Sequence, residues 1–273
     1  MKWIPDWVIY SLVLGVVLWA VFTGGSDDAP PPPPEAIQQE GAMLPPPSAF
    51  DERVLVQVTA PKSGIGTAFA INGEGLWLTA RHVVEGCNDV ALLVAPGQYD
   101  PANSVIISEQ FDLALIETQT SPNPAPMNTQ NDLRVGAYGF HVGYPQGRPG
   151  EAASRLLARS NLVSRGRRDN SESVLAWAET GRTRGLMGSL GGLSGGPVYD
   201  EAGNVRGVIV AESSRRGRIY TAAPEAVAQF IKATGAETLG QQPRDFSTET
   251  YGREADYARR NLQVVKVACS VEE

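Results

Sequence analysis

The chain has 273 residues, a formal net charge of -7, 29 glycines and 20 prolines. That length holds one large domain or two small ones with a sizeable core, and the acidic balance argues against a nucleic-acid partner, which calls for a basic face. Two cysteines (Cys87, Cys269) and two histidines (His82, His141) are too few for a four-ligand zinc site or a histidine-rich metal centre.

Residues 7–22 read WVIYSLVLGVVLWAVF without a charge, and the uncharged run continues to Ser26. That is about the length a membrane-spanning helix needs. Trp3, Trp7 and Trp19 stand near its ends, where indole rings favour the headgroup region. Lys2 precedes the run and no base follows it until Arg53, which predicts a cytoplasmic N-terminus with the remainder outside. A cleaved signal peptide is the competing reading, but Val21 and Phe22 directly after Ala20 make a poor small-x-small cleavage site. Residues 1–25 are therefore read as an anchor. Residues 26–50 are read as a linker, because Pro30 to Pro34 and Pro45 to Pro47 favour a semi-rigid polyproline II stalk.

From Arg53 the pattern is strand after strand. Residues 53–59 alternate apolar with polar, and residues 65–71 follow the Ser63-Gly64 turn. Asn72-Gly73 and Glu74-Gly75 supply hairpin chemistry before residues 76–80. Residues 89–95, 104–108 and 113–117 complete about six short strands, a spacing that suits a small antiparallel barrel. In the second half, residues 135–144, 152–158, 174–179, 198–200 and 205–211 read as strands. Residues 224–233 read as a helix, with Pro224 in its first turn and Val227, Phe230 and Ile231 on one face. The arginines at 165, 167 and 168 and at 215, 216 and 218 read as solvated loops.

The chemistry concentrates in Gly191-Gly192-Leu193-Ser194-Gly195-Gly196-Pro197. Four glycines let consecutive N–H groups converge on one point. A serine held there attacks a carbonyl while its own N–H binds the oxyanion that forms. A serine hydroxyl needs a base within reach, which histidine supplies near neutral pH, and a carboxylate then fixes the imidazole tautomer and stabilises the imidazolium. His82 closes the strand ending Leu78-Thr79-Ala80-Arg81, and Asp112 opens the apolar strand Leu113-Ala114-Leu115-Ile116. His82, Asp112 and Ser194 thus run in the order His, Asp, Ser.

Thr79-Ala80-Arg81-His82, Asp112-Leu113-Ala114-Leu115 and Gly192-Leu193-Ser194-Gly195-Gly196-Pro197 resemble the three signature blocks of trypsin-like serine proteases. The short spacing from His82 to Asp112 is most similar to the bacterial HtrA-type branch. The turn Gly143-Tyr144-Pro145-Gln146-Gly147 resembles one that recurs there, and His141 beside it reads as structural or as a pocket rim. The resemblance covers residues 53–234. It implies an all-β fold of two six-stranded antiparallel barrels, the chymotrypsin-like double barrel, with a closing helix. It also implies an oxyanion hole from the N–H groups of Gly192 and Ser194, and a substrate cleft lined by Val210, Ala211 and Glu212. Protein or peptide substrates are expected, with no metal and no cofactor.

The expected layout is anchor 1–25, linker 26–50, protease domain 51–235 and C-terminal extension 236–273, held at a bacterial inner membrane on the periplasmic side. HtrA-type proteases continue into a PDZ domain, for which the residues after Gly235 are too few. These offer instead a polar helix near 253–261 and an apolar strand at 262–269. One expectation is that this tail packs back on the protease domain through a Cys87–Cys269 disulfide; two unpaired cysteines are the alternative.

Two positions depart from the family. Leu193 stands where digestive enzymes carry Asp and HtrA-type enzymes usually Asn, so it cannot receive an ion pair from a newly cut N-terminus. Arg81 puts a cation beside the base, and a cation there disfavours the imidazolium. The pocket walls, residues 186–190 and 208–214, hold no obvious charge except Glu212, which predicts small or apolar side chains before the cut. The departures leave a rival from another class: a protease-fold binding or stress-sensing module, catalytically silent or latent until a ligand binds.

Overall fold

The structure is a computed structural model that describes residues 41–58, 60–166 and 169–272. The expected span and most of the linker lie outside the described residues, among which no helix is long and apolar enough to cross a membrane.

The first half of the chain forms β1 (Glu52–Val58), β2 (Gly64–Ala70), β3 (Leu76–Thr79), the short helix α1 (Arg81–Val84), β4 (Asp89–Ala95), β5 (Gln98–Pro101), β6 (Ser104–Ile107) and β7 (Ala114–Glu117). The second half forms β8 (Tyr138–Gly143), β9 (Gly150–Gly166), β10 (Asn170–Arg182), β11 (Pro197–Tyr199), β12 (Val205–Ser213), β13 (Arg218–Ala222), α2 (Pro224–Thr234), α3 (Tyr251–Arg260) and β14 (Val264–Ser270). The expected all-β architecture in two sheets is observed. Each sheet has seven strands rather than six, in the orders β5-β4-β14-β2-β3-β7-β6 and β1-β9-β10-β13-β12-β11-β8. In the second sheet β8 pairs with β9 as well as β11, which closes a ring of six strands.

Two strands are not where the sequence order places them. β1, expected to open the first sheet, pairs in parallel with β9 at the edge of the second. Its alternation buries one face only, and a strand of that kind fits a sheet edge. The vacated position in the first sheet belongs to β14 from the tail, which pairs antiparallel with β2 on one side and β4 on the other. Val264, Val265 and Val267 of that strand are buried. Each such side chain contributes roughly 1.5–3 kcal/mol when removed from water.

The tail is fastened at three further points. Phe246 stacks on Tyr199 with ring centroids 4.7 Å apart. Arg259 of α3 pairs with Glu151 of β9 at 2.8 Å, with both side chains buried. Cys87 and Cys269 are joined by a disulfide, their Cα atoms 5.5 Å apart. At the other end of the described chain, Leu44 N–H donates to Leu133 O at 2.8 Å and Arg159 Nε to Pro45 O at 2.8 Å. The last linker residues therefore lie on the second sheet.

One apolar cluster belongs to the first sheet, around Trp77, Leu92 and Val265, and another to the second, around Leu156, Trp177 and Leu193. The third spans both: Phe69, Leu78 and Leu113 from the first sheet meet Phe140, Val208 and Val210 from the second. The functional cleft opens where this shared core reaches the surface.

Candidate active site

β3 ends at Thr79, and Ala80 keeps an extended conformation before the first turn of α1. That abrupt change from strand to helix puts His82 at the junction of the sheets, with 43% of its side chain open to the cleft. Asp112 stands in the turn between β6 and β7 and is 8% exposed. It holds the histidine twice: His82 main-chain N–H donates to Oδ1 at 2.9 Å, and ring Nδ1 meets Oδ2 at 2.6 Å. A proton on Nδ1 leaves Nε2 as the free base.

Burial pulls the His82 pKa down, but the charge and hydrogen bond of Asp112 outweigh it and hold the group above its ordinary value. Burial raises Asp112, and the His82 charge and hydrogen bonds outweigh that too, leaving the carboxyl below the usual range. The pair favours an ion pair in the protonated state, which is the state an acyl transfer passes through.

The loop that carries Ser194 is pinned from both sheets. Thr67 in the middle of β2 donates its N–H to Ser194 O at 2.9 Å and its Oγ1–H to Gly192 O at 2.7 Å. Gly195 has φ +85° and its α-carbon lies so close to β2 that a Cβ would come within 2.1 Å of Thr67 O, which requires glycine. From the other side, Gln146 N–H donates to Gly191 O at 2.5 Å. A trans peptide points its C=O and N–H in opposite directions, so the Gly192 N–H faces away from the Gln146 turn. The Gln146 side-chain amide also donates to Met187 O and Ser189 O, each at 2.8 Å. Among the described residues no acceptor takes the N–H of Gly192 or of Ser194. Leu193, 1% exposed, is buried in the second sheet's core, so apolar packing replaces the ion pair found at this position in digestive enzymes.

His82, Asp112 and Ser194 line one cavity of ≈ 400 Å³. Val210, Ala211 and Glu212 form one wall, and Val56, Gln57 and Val58 of β1 with Ala60, Pro61 and Lys62 form another. Glu212 reaches across to the loop before Ser194, where it accepts Ser189 Oγ–H and, at 2.8 Å, Leu190 N–H. His141 lies away from the cleft. It is fully buried, with Nε2 2.7 Å from Ser154 Oγ and its ring edge-on to Trp177, and burial pulls its pKa to about 3.

Arg81 lies buried in the wall of the same cavity. It is 4% exposed, donates from Nη1 to Ser108 O at 3.2 Å and lies 3.7 Å from Glu85. Two groups beside the site escaped the sequence reading, Thr67 and Glu172, and a third, Gln146, was read only as part of a family-like turn. Glu172 of β10 accepts the Asp112 main-chain N–H with both carboxylate oxygens, at 3.0 and 3.1 Å. Thr67 and Glu172 sit within strands where they look like ordinary polar positions. Gln146 carried a local signal, its place between Pro145 and Gly147, and the structure puts it at φ +52°.

A histidine–carboxylate pair, a serine in a glycine loop and two unclaimed N–H groups, set in a cleft between two β-sheets, define the class of protein: a chymotrypsin-like fold with the constellation of a serine hydrolase. Residues 66–208, more than half of the chain, match the trypsin-like peptidase domain, and the chain belongs to that family. A putative serine protease HhoA of Synechocystis sp. is 36% identical over 88 residues, covering 31% of this chain and 22% of the relative. A probable periplasmic serine endoprotease, DegP-like, of Pseudomonas savastanoi is 23% identical over 145 residues, covering 53% of this chain and 28% of the relative. The active form of the Rv3671c protease from M. tuberculosis superposes with a TM-score of 0.52 at 18% identity, over 76% of this chain and 98% of that one, a likeness of fold. The expected kinship with HtrA-type proteins is borne out, although this chain spans about a quarter of the length of the two curated relatives.

Proposed function

We propose that this chain is a membrane-anchored, extracytoplasmic serine endopeptidase that works through His82, Asp112 and Ser194. The observation that carries the reading is the 2.6 Å contact of His82 Nδ1 with Asp112, in the cavity that Ser194 lines. Ser194 Oγ attacks the scissile carbonyl carbon as its proton passes to His82 Nε2. The carbonyl oxygen, now an oxyanion, is received by the N–H groups of Gly192 and Ser194, each worth about 2.7–4 kcal/mol of barrier. His82 then gives the proton to the leaving amine, and an ester joins the acyl group to Ser194. Water enters, loses a proton to His82 and attacks the ester, and Ser194 is released with its proton restored.

The substrate is an extended segment of protein whose backbone pairs with the edge of β12 at Val210, Ala211 and Glu212. Glu212 is tied to Ser189 and Leu190, and small or apolar side chains are proposed before the cut. Residues 1–25 serve as the anchor, 26–50 as the stalk, 51–235 as the protease domain and 236–273 as an extension that completes the first sheet. The uncharged run at residues 7–22 supports the anchor. The Cys87–Cys269 disulfide supports an oxidising compartment, here the periplasmic face of a bacterial inner membrane.

The test is hydrolysis of an unfolded protein such as reduced casein by the full chain. Ser194→Ala is expected to abolish it, and undiminished turnover in that variant refutes the assignment. Failure of the unsubstituted chain to cleave casein or to react with an active-site phosphonate, with or without added peptides, would favour the binding-module reading.

A further inference from the structure

Asp112 is gripped at both ends. Its carboxylate faces His82, while its main-chain N–H donates to Glu172, which belongs to the other sheet and is 6% exposed. The turn that carries Asp112 is braced by the same two sides. Arg81 of α1 donates to Ser108 O, and Asn170 of β10 donates to Gln110 O at 2.8 Å.

A serine or an asparagine would accept one N–H without a charge, and burying a carboxylate for that purpose alone is costly. The charge has a counterpart in Arg81. The charges that act on Glu172 are those of Asp112 in the β6–β7 turn and of Arg81 and His82 in α1. Glu85 lies beside Arg81, while Lys62 and Glu212 stand on the cleft walls. Without Glu172, Asp112 would be the one buried carboxylate facing the guanidinium and the imidazolium, with the more exposed Glu85 beside Arg81. With Glu172 present, the four groups sum to zero charge when His82 is protonated.

We propose that Glu172 is a positioning residue of the catalytic site: it fixes Asp112 from the second sheet, and its charge offsets Arg81 so that the imidazolium formed at His82 is stabilised. The proposal rests on the triad reading above. It also gives Arg81 a place, as the cation that balances two buried carboxylates. Burial and the neighbouring Asp112 charge push Glu172 up to about 7, so its charge is in place above neutrality and fades on acidification. Arg81 pulls the His82 pKa down and Glu172 pushes it up.

The experiment is the pH dependence of the rate at which a fluorophosphonate modifies Ser194 in the full chain, for the unsubstituted protein, Glu172→Gln, Glu172→Ala and Arg81→Gln. Glutamine keeps an acceptor for the Asp112 N–H and removes the charge. Its ascending limb is expected at lower pH, because losing a neighbouring anion disfavours the imidazolium and frees the base earlier. Arg81→Gln is expected to move the limb the opposite way. Glu172→Ala, which strands the N–H, should react roughly tenfold to a hundredfold more slowly at every pH, and Glu172→Gln should recover most of that loss. A Glu172→Gln limb that coincides with the unsubstituted one overturns the proposal, and so does an alanine variant as reactive as the glutamine one. Should Glu172→Ala fail to fold, the Glu172→Gln limb decides alone. An unsubstituted chain that does not react at all refutes the triad itself, a distinguishable result.

Discussion

Gln146 holds the loop that carries the proposed oxyanion site. One residue at φ +52° captures the carbonyls of Met187, Ser189 and Gly191, and the last of these sets the direction of the Gly192 N–H. Gln146→Glu keeps the shape but removes the side-chain donors and turns a carboxylate toward two carbonyls. The phosphonylation rate is expected to fall at least tenfold, part of the 10²–10³ that a lost oxyanion donor costs. The melting temperature should stay within a few degrees, since the side chain is exposed. A rate equal to that of the unsubstituted chain would assign the turn no part in catalysis.

The proposed triad of His82, Asp112 and Ser194 stood out in the sequence because each sits in a local motif that chemistry makes rare: a glycine-wrapped serine, a histidine closing a strand, an acid opening one. Glu172 was not legible. Nothing in Asn170-Ser171-Glu172-Ser173-Val174 distinguishes it from a solvent-facing strand position, and its partner lies 60 residues away in the other sheet. Leu193 was read correctly as incapable of an ion pair; that it is held by the second sheet's core became visible only with the fold.

The strands were legible as strands but not as neighbours. Period-2 alternation says that one face is buried and says nothing about which sheet buries it. That is why residues 53–59 were expected in the first sheet and β1 lies in the second. The expected tail strand carried the same ambiguity, and its place between β2 and β4 makes the C-terminal segment part of the first sheet. The disulfide clips β14 to the loop that follows α1, five residues beyond His82, and closes a separation of 182 residues. Reducing it, or replacing both cysteines by alanine, is expected to lower stability by about 2–4 kcal/mol in urea unfolding. Identical curves with and without reductant would mean that the bridge contributes nothing. The buried pair of Arg259 and Glu151 makes a second clip. Arg259→Met alone should cost about 3–5 kcal/mol by the same measurement, because it leaves Glu151 uncompensated.

The molecule as a whole carries two buried groups with opposite pH linkage. His141, with pKa about 3 in the folded chain against 6.5 unfolded, stays neutral while the unfolded chain gains a proton, so its contribution is lost as pH falls below about 6.5. Glu172, at about 7 against 4.5, keeps its proton where the unfolded chain has lost it, so its contribution grows as pH falls through the same range. Between about pH 4.5 and 6.5 the two slopes oppose, each about 1.4 kcal/mol per pH unit. Glu172→Gln should therefore lose stability on acidification in that window, and His141→Phe should gain it. Parallel slopes for the two variants would show that one of these groups is not buried as described.

Both sheets and the shared core form the cleft that His82 and Ser194 line, and the proposed pairing of that serine with that histidine is the central claim. It is tested most directly by treating the full chain with a fluorophosphonate and mapping the adduct by peptide mass. A single adduct on Ser194, absent from Ser194→Ala and from His82→Ala, is the predicted result. An adduct that persists in Ser194→Ala, or none on the unsubstituted chain at any pH or with any added peptide, would contradict it.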